Sequence, residues 1–310
     1  MAKKILLTGG AGFIGSHLAD GFLARNYSVR ILDNFSTGNR NNIKHILNDI
    51  DLIEGDIRDA EIVAKAMKDV NIVVHEAALP SVPRSIKDPI TTNQVNVNGT
   101  LNLLWASVEN KVEKFVFASS SSVYGDSKEP VKHEGLITNP LSPYAVTKLT
   151  AENYCRVFSD TYGLQTICLR YFNVFGPRQD PSSQYSAVIP KFIKLMNNNE
   201  RPVVYGDGAQ SRDFTFIKNV VNANILAVEN SSDNNLILNC ACKVAITLND
   251  LIKEINGILG KNIEPIYEKE RTGDIKHSCA AIELANEKIG YGPEILFKEG
   301  LELTIKEFVN

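Results

Sequence analysis

Two residues one helical turn apart carry the clearest chemical signal in the chain. In Tyr144-Ala145-Val146-Thr147-Lys148 a phenol and an ammonium stand at i and i+4, on one face of a helix that Pro143 is suited to begin. A phenol with an ordinary pKa of about 10 is a poor base at neutral pH. A neighbouring Lys⁺ favours phenolate, and lowering the pKa by about three units takes roughly 4 kcal/mol. Such a base can take a proton from a hydroxyl group. By itself the pair fits a solvated helix face equally well, and it gains meaning from two companions. One is the hydroxyl run Ser119-Ser120-Ser121-Ser122-Val123-Tyr124-Gly125. A serine there can hydrogen-bond a substrate hydroxyl and stabilise charge as a carbonyl forms; for Ser119 and Ser121 a plain polar loop remains the alternative. The other is Gly9-Gly10-Ala11-Gly12-Phe13-Ile14-Gly15, which reads GxGxxG from Gly10. Its glycines suit a tight turn, close approach of backbone to a pyrophosphate, and helix-on-strand packing, with helix N–H groups facing the phosphates. Asp33 then stands where a carboxylate accepts from a ribose 2′-hydroxyl, so NAD is expected and a 2′-phosphate would be repelled. A nicotinamide ring adds a second positive charge favouring phenolate, and can take the hydride that leaves the oxidised carbon.

The elements that must hold these residues alternate between strand and helix. Apolar runs predict strands at Lys4–Thr8, Ser28–Leu32, Asp51–Glu54, Asn71–His75, Lys114–Ala118 and Gln165–Arg170. Phe13, Leu18, Phe22 and Leu23 have the spacing of a helix spanning 13–25. Such alternation implies right-handed crossovers and one parallel sheet, a doubly wound α/β fold of Rossmann type. The glycine run follows the first strand and the serine run the fifth, at the carboxyl edge where such sheets bind ligands. Gly55-Asp56-Ile57 follows the third strand: Asp56 could bond an adenine amino group with Ile57 over the ring, or it could cap a helix, as Asp59 could equally. In His75-Glu76-Ala77-Ala78 the alanines let backbone lie close to a cofactor, and His75 is given no chemistry. Beyond Asn173 the segments shorten and gain Pro, Gly and Asn. This predicts a dinucleotide domain over 1–173 with returning segments around 213–240, and a smaller C-terminal α/β lobe over 174–310 that holds substrate.

Composition narrows the function classes. The 310 residues carry a net charge of −3, which leaves no footprint for nucleic acid. The five cysteines form no CxxC pair and the five histidines no HExxH, so neither a disulfide framework nor a metal site is expected. No apolar run reaches the ~20 residues of a membrane span. Lys3 and Lys4 lead straight into the first strand rather than into a signal peptide, so the cytoplasm is the expected compartment.

With these residues assembled, the sequence resembles the extended short-chain dehydrogenase/reductases, and among them the nucleotide-sugar 4-epimerases acting on UDP-galactose and UDP-N-acetylglucosamine. The resemblance runs from Thr8 to about Tyr291. Its most specific supports are Leu169-Arg170-Tyr171-Phe172-Asn173-Val174-Phe175-Gly176-Pro177-Arg178, Gly206-Asp207-Gly208-Ala209-Gln210-Ser211-Arg212-Asp213-Phe214 and Arg271-Thr272-Gly273-Asp274. It implies an NAD cofactor met by Gly9, Gly12, Phe13, Ile14, Gly15, Asp33, Asn34, Thr37, Gly38, Asp56, Ile57, Ala77, Ala78, Asn96, Tyr144 and Lys148. It implies catalysis by Ser120, Tyr144 and Lys148, with Ser122 beside them as a further hydroxyl. A UDP-sugar would meet Ser81, Arg84, Ser120, Ser122, Tyr144, Asn173, Val188, Tyr205, Arg212, Arg271, Asp274 and Ser278, with Arg212 and Arg271 on phosphate oxygens. Ser278 falls where the pocket around the sugar's C2 substituent is limited, so a serine there implies room for an N-acetyl group.

The resemblance also bounds the alternatives. Related 4,6-dehydratases carry an Asp-Glu pair after the catalytic hydroxyl residue, where this chain has Ser121-Ser122, and elimination then lacks its acid and base. A UDP-sugar decarboxylase is harder to exclude, and a non-catalytic NAD-binding protein is the third reading. Ala281 replaces an Asp usual in relatives. A homodimer is implied through helices at about 98–110 and 143–160, unless those faces are simply solvated.

Overall fold

A computed structural model describes residues 2–181, 187–230, 234–270 and 277–309. Seven strands form one sheet: β1 (Lys4–Thr8), β2 (Ser28–Asp33), β3 (Ile50–Glu54), β4 (Ile72–His75), β5 (Lys114–Ser120), β6 (Gln165–Tyr171) and β7 (Leu236–Cys240). Every neighbouring pair is parallel, and the spatial order is β7-β6-β5-β4-β1-β2-β3. The direction of winding reverses between β1 and β4, which opens a crevice at the strands' carboxyl ends. This is a doubly wound, Rossmann-type α/β fold.

The strands are apolar throughout because both faces are covered. Ile5 and Leu7 of β1 pack with Leu18 and Phe22 of helix α1 (Phe13–Ala24) and with Val220 of the helix Ile217–Glu229. Leu6, Val73, Phe115 and Phe117 face the other way, toward Leu103 and Leu104 of the helix Thr100–Glu109 and Ala151 of the helix Pro143–Tyr162. All six predicted strands are present. β5 and β6 run further than expected, to Ser120 and Tyr171, which puts Ser119 and Ser120 on the strand itself. β7 is the strand the sequence did not announce.

The remaining chain adds short two-stranded pairings outside the large sheet. Val203–Tyr205 pairs in parallel with Ile266–Glu268, and Ser211–Asp213 pairs antiparallel with Ala245–Thr247. Phe175, Phe214, Phe216 and Phe297 meet as an aromatic cluster beneath the C-terminal helix Phe297–Val309. Buried Asn219 ties this end down: its amide nitrogen donates to the Ile295 carbonyl at 2.6 Å, and its oxygen accepts from the N–H groups of Glu294 and Ile295. Among the described residues no helix is long and apolar enough to cross a membrane.

Candidate active site

The glycine turn is built as its spacing required. Gly9 has φ +69°, and a Cβ there would lie 2.8 Å from the Ala77 nitrogen, so the turn and the end of β4 touch backbone to backbone. A Cβ at Gly15 would sit 2.2 Å from the Gly9 carbonyl oxygen, a clash no rotamer can relieve. Gly12, the N-cap of α1, offers no capping side chain, and no acid stands in the first turn. The helix therefore keeps N–H groups and its positive end for an anion.

Beyond the turn lies a cleft of about 1460 Å³. That exceeds the ~300–1,000 Å³ that takes one drug-sized ligand, and leaves room for two. Gly9, Gly12, Phe13, Ile14, Gly15, Asp33, Asn34, Thr37, Gly38, Asp56, Ile57, Ala77, Ala78, Tyr144 and Lys148 all line it. The Asp33 carboxyl is buried and accepts from Ala11 N–H at 2.9 Å and Phe35 N–H at 2.8 Å. Burial pushes its pKa up while these two bonds hold it down, and each oxygen keeps a lone pair for a ribose hydroxyl. Asp59 proves to be the helix cap, accepting from Glu61 and Ile62 N–H. Asp56 is left to the cleft, gripped by Arg58 and Asn34, and these bonds draw its pKa down to about 2. Asn96 is the exception among the cofactor candidates. It does not line the cleft: its amide is spent on the Leu79 backbone and on Thr147 Oγ1, so it fixes the β4 loop against the Tyr144 helix.

At the inner end of the cleft the pleat of β5 separates the serines. Ser119 lines the cleft and donates to Glu152. Ser120 acts on Tyr144 to lower its pKa, and its Oγ accepts from Ser122 N–H at 3.2 Å; neither Ser120 nor Ser122 is among the residues that line the cleft. The Ser122 hydroxyl is buried without a hydrogen-bond partner. Ser142 caps the helix Pro143–Tyr162 by accepting from Ala145 N–H, which places Tyr144 in its first turn. Lys148 reaches the Ala118 carbonyl at 2.7 Å, and its Nζ lies 6.0 Å from the centre of the Tyr144 ring. The Lys148 ammonium by itself does not bring the phenol's pKa below its ordinary value. In the protein by itself burial pushes Tyr144 up to about 12, with Glu76 adding to the rise and only the Ser120 hydrogen bond opposing it. Burial also draws Lys148 down to about 8.

His75 is buried between Thr8 Oγ1 at 2.7 Å and Thr100 Oγ1 at 2.8 Å, a structural role. Burial and the Lys148 charge draw its pKa down to about 3. Between the ordinary His value of about 6.5 and that figure, the unfolded chain binds a proton the folded one does not, so this residue costs stability as pH falls. Urea titrations at several pH values should therefore show His75→Gln losing stability less steeply below pH 6.5, by up to about 1.4 kcal/mol per pH unit. An unchanged slope contradicts this.

The substrate candidates divide. Ser81 and Arg84 line the cleft, and Ser81, at φ 120°, also caps the helix Val82–Lys87. Asn173, at φ 35°, donates to the Asp213 carbonyl at 3.0 Å. Arg212 and Tyr205 stand on the lobe strands, Val188 begins the helix Val188–Asn197, and Ser278 N–H bonds the Ser211 carbonyl at 3.1 Å. None of these five lines the cleft. Arg271 and Asp274 lie outside the described residues. The sequence reading passed over Glu76, Tyr171 and Arg178, which do line it; the only signal for Glu76 was its place beside the two cleft alanines.

A glycine turn at a helix end, an acid after the second strand, and a Tyr–Lys pair in one crevice define a dinucleotide-dependent enzyme of the doubly wound class. The chain belongs to the NAD dependent epimerase/dehydratase family, whose model matches residues 5–241. It is 39% identical over 308 residues to a putative UDP-glucose 4-epimerase of Methanocaldococcus jannaschii, covering 99% of this chain and 98% of that one. The solved UDP-N-acetylglucosamine 4-epimerase of Methanobrevibacter ruminantium, in complex with UDP-N-acetylmuramic acid, is 44% identical with a TM-score of 0.95, over 99% and 98% of the two chains. UDP-glucose 4-epimerase of Thermus thermophilus, solved with NAD, is 34% identical with a TM-score of 0.89, over 98% of each chain. A UDP-N-acetyl-α-D-glucosaminuronate decarboxylase of Bacillus cytotoxicus is 30% identical over 99% of both chains. NAD is thus the cofactor, and the unopposed helix end, the clash-limited glycines and Asp33 fit it.

Proposed function

We propose that the protein inverts C4 of a UDP-hexose through a 4-keto intermediate. The observation that carries this is that Tyr144 and Lys148 together line a cleft with room for a dinucleotide and a nucleotide sugar, opposite the glycine turn and Asp33. NAD, when bound, supplies a reversible acceptor for the C4 hydrogen and a positive charge beside the phenol. Tyr144 takes the 4-hydroxyl proton and returns it, Ser120 steadies the sugar oxygen, and Lys148 favours phenolate. The partnerless Ser122 hydroxyl suits a sugar oxygen.

In this reading residues 1–173, with the returning 213–240, hold NAD, and the 174–310 lobe holds the nucleotide. Asn173, Val188, Tyr205, Arg212, Arg271 and Asp274 are its grip, with Ser81 and Arg84 near the sugar. Ser121-Ser122 in place of an acidic pair argues against a 4,6-dehydratase. Five unpaired thiols suit a reducing compartment such as the cytoplasm. A homodimer is supported by an apolar groove between the helices Thr100–Glu109 and Pro143–Tyr162, where Trp105 and Tyr162 are 47% and 49% exposed.

The decisive experiment incubates the purified protein, without added NAD, with UDP-glucose, UDP-galactose, UDP-GlcNAc and UDP-GalNAc separately. Interconversion within at least one pair is expected; no interconversion in either pair, or release of carbon dioxide from a UDP-uronic acid added in a separate incubation, counts against the proposal. Ser278 is expected to admit the N-acetylated pair. Ser278→Tyr crowds that space by about 1–3 kcal/mol, so kcat/KM for UDP-GlcNAc should fall about tenfold to a hundredfold while UDP-glucose turnover holds. Equal effects on both sugars would remove Ser278 from the specificity argument.

A further inference from the structure

Glu76 follows β4 directly and lines the cleft with Tyr144, Lys148 and Tyr171, yet the proposed chemistry gives it nothing to do. Its surroundings are built for a charge. The Tyr171 hydroxyl donates to Glu76 Oε1 at 2.6 Å, and that hydroxyl oxygen in turn accepts from Asn224 Nδ2 at 2.8 Å. Tyr171 and Asn224 are both buried, and Asn224 is itself anchored to the Val220 carbonyl of its own helix. Two donors aligned head to tail and ending on a carboxyl oxygen favour its ionised form. The Lys148 ammonium acts in the same direction.

An enzyme that must return the hydrogen it removes is disarmed whenever its nicotinamide stays reduced. The oxidised ring carries one more positive charge than the reduced ring, so a fixed negative charge at this end of the cleft discriminates between them. We propose that Glu76, held by the Tyr171–Asn224 chain, is a counter-charge that stabilises oxidised over reduced nicotinamide and limits the reduced share of the bound cofactor. This rests on the cleft being the NAD site.

Burial pushes the Glu76 pKa up to about 7, so its charge is present above neutrality and lost below. The titratable groups that face it are Tyr144 and Lys148 from the Pro143–Tyr162 helix, Tyr171 from β6 and Cys240 from β7. Of these only Lys148, drawn down to about 8, changes charge near the same range. Glu76 in turn raises the Lys148 pKa, so the comparison of Glu and Gln at position 76 is also made in a Lys148→Met background, where the Glu76 charge alone differs.

The test equilibrates NAD-loaded protein with a mediator dye couple of known potential and reads reduced nicotinamide by its near-ultraviolet absorbance. Glu76→Gln keeps the side chain's shape and removes the charge. At about pH 8 its ratio of reduced to oxidised cofactor should be about tenfold above wild type, roughly 30 mV for a two-electron couple. At about pH 6, where the wild-type carboxyl is protonated, the two proteins should agree within about twofold. Glu76→Asp retains a carboxylate and should stay near wild type at both pH values. Tyr171→Phe removes a bond that favours the ion, so it should raise the pH at which its ratio departs from that of Glu76→Gln. Equal ratios in wild type and Glu76→Gln at both pH values, with NAD retained, overturn the proposal. A difference that Glu76→Asp shows as fully as Glu76→Gln also overturns it, because the side chain's shape and not its charge is then responsible. Wild-type protein that takes up no NAD in equilibrium dialysis overturns the cofactor-site reading itself, a result distinct from either.

Discussion

Tyr144→Phe should lower turnover about a thousandfold while leaving NAD bound and UDP affinity within a few-fold of wild type. A positioned acid–base group contributes about 10²–10⁴, and a thousandfold loss corresponds to about 4 kcal/mol of transition-state stabilisation. The substitution keeps the ring and removes only the hydroxyl oxygen. Because burial and Glu76 hold the phenol near 12 in the protein alone, its proton is released only when opposing positive charge arrives with the cofactor. The oxygen is therefore expected to matter to kcat far more than to binding. Steady-state kinetics on whichever UDP-sugar pair is turned over, with cofactor content measured on the same sample, provide the check. A variant within tenfold of wild type would remove Tyr144 from the proton path.

The second large effect is on stability. Glu152 and Arg170 are 2% and 3% exposed and form a two-pronged ion pair, Nε to Oε1 at 2.9 Å and Nη2 to Oε2 at 2.7 Å. Ser119 donates to the same carboxylate, and the Tyr124 ring lies 4.7 Å from the guanidinium. Arg170 Nη1 already lacks a hydrogen-bond partner. Glu152→Ala strands a buried cation and should cost about 3–5 kcal/mol. The urea midpoint should fall accordingly, with the slope of the transition unchanged. Replacing both partners together, Glu152→Leu with Arg170→Met, should recover much of the loss, because no charge is left without its counterpart. If Glu152→Ala unfolds within about 1 kcal/mol of wild type, the pair is not the buried clasp between β6 and the Tyr144 helix that the coordinates describe.

Six strands and the glycine turn could be read from residue order because a parallel sheet covered on both faces needs unbroken apolar runs, and a diphosphate turn needs glycines. β7 escaped notice because its five residues include Asn239, an unpromising residue for a core strand. The fold satisfies it: its amide donates to the Lys132 and Ala281 carbonyls and its oxygen accepts from the Tyr124 hydroxyl. Those partners are distant in the chain, so no local pattern announces them. The four serines illustrate the same limit. Their identities are alike, and only the side-to-side alternation of β5 sends Ser119 to Glu152 and Ser120 to Tyr144. Glu76 was the least legible residue, since an acid after a strand ordinarily meets solvent. Its partner Tyr171 and the helix behind it come from far downstream.

The return of the chain to the large sheet has a topological consequence. β7 closes the free side of β6, and the Ile217–Glu229 helix roofs the apolar surface of β1 and α1, yet both come after the first lobe segments in the chain. A fragment ending near residue 173 would expose an unpaired strand edge and a bare hydrophobic sheet face, the two features that most readily recruit other chains into aggregates. The two halves are thus not modules that can be exchanged by a single cut. Chimaeras with relatives of different sugar preference would need at least two junctions, one on either side of the returning segment.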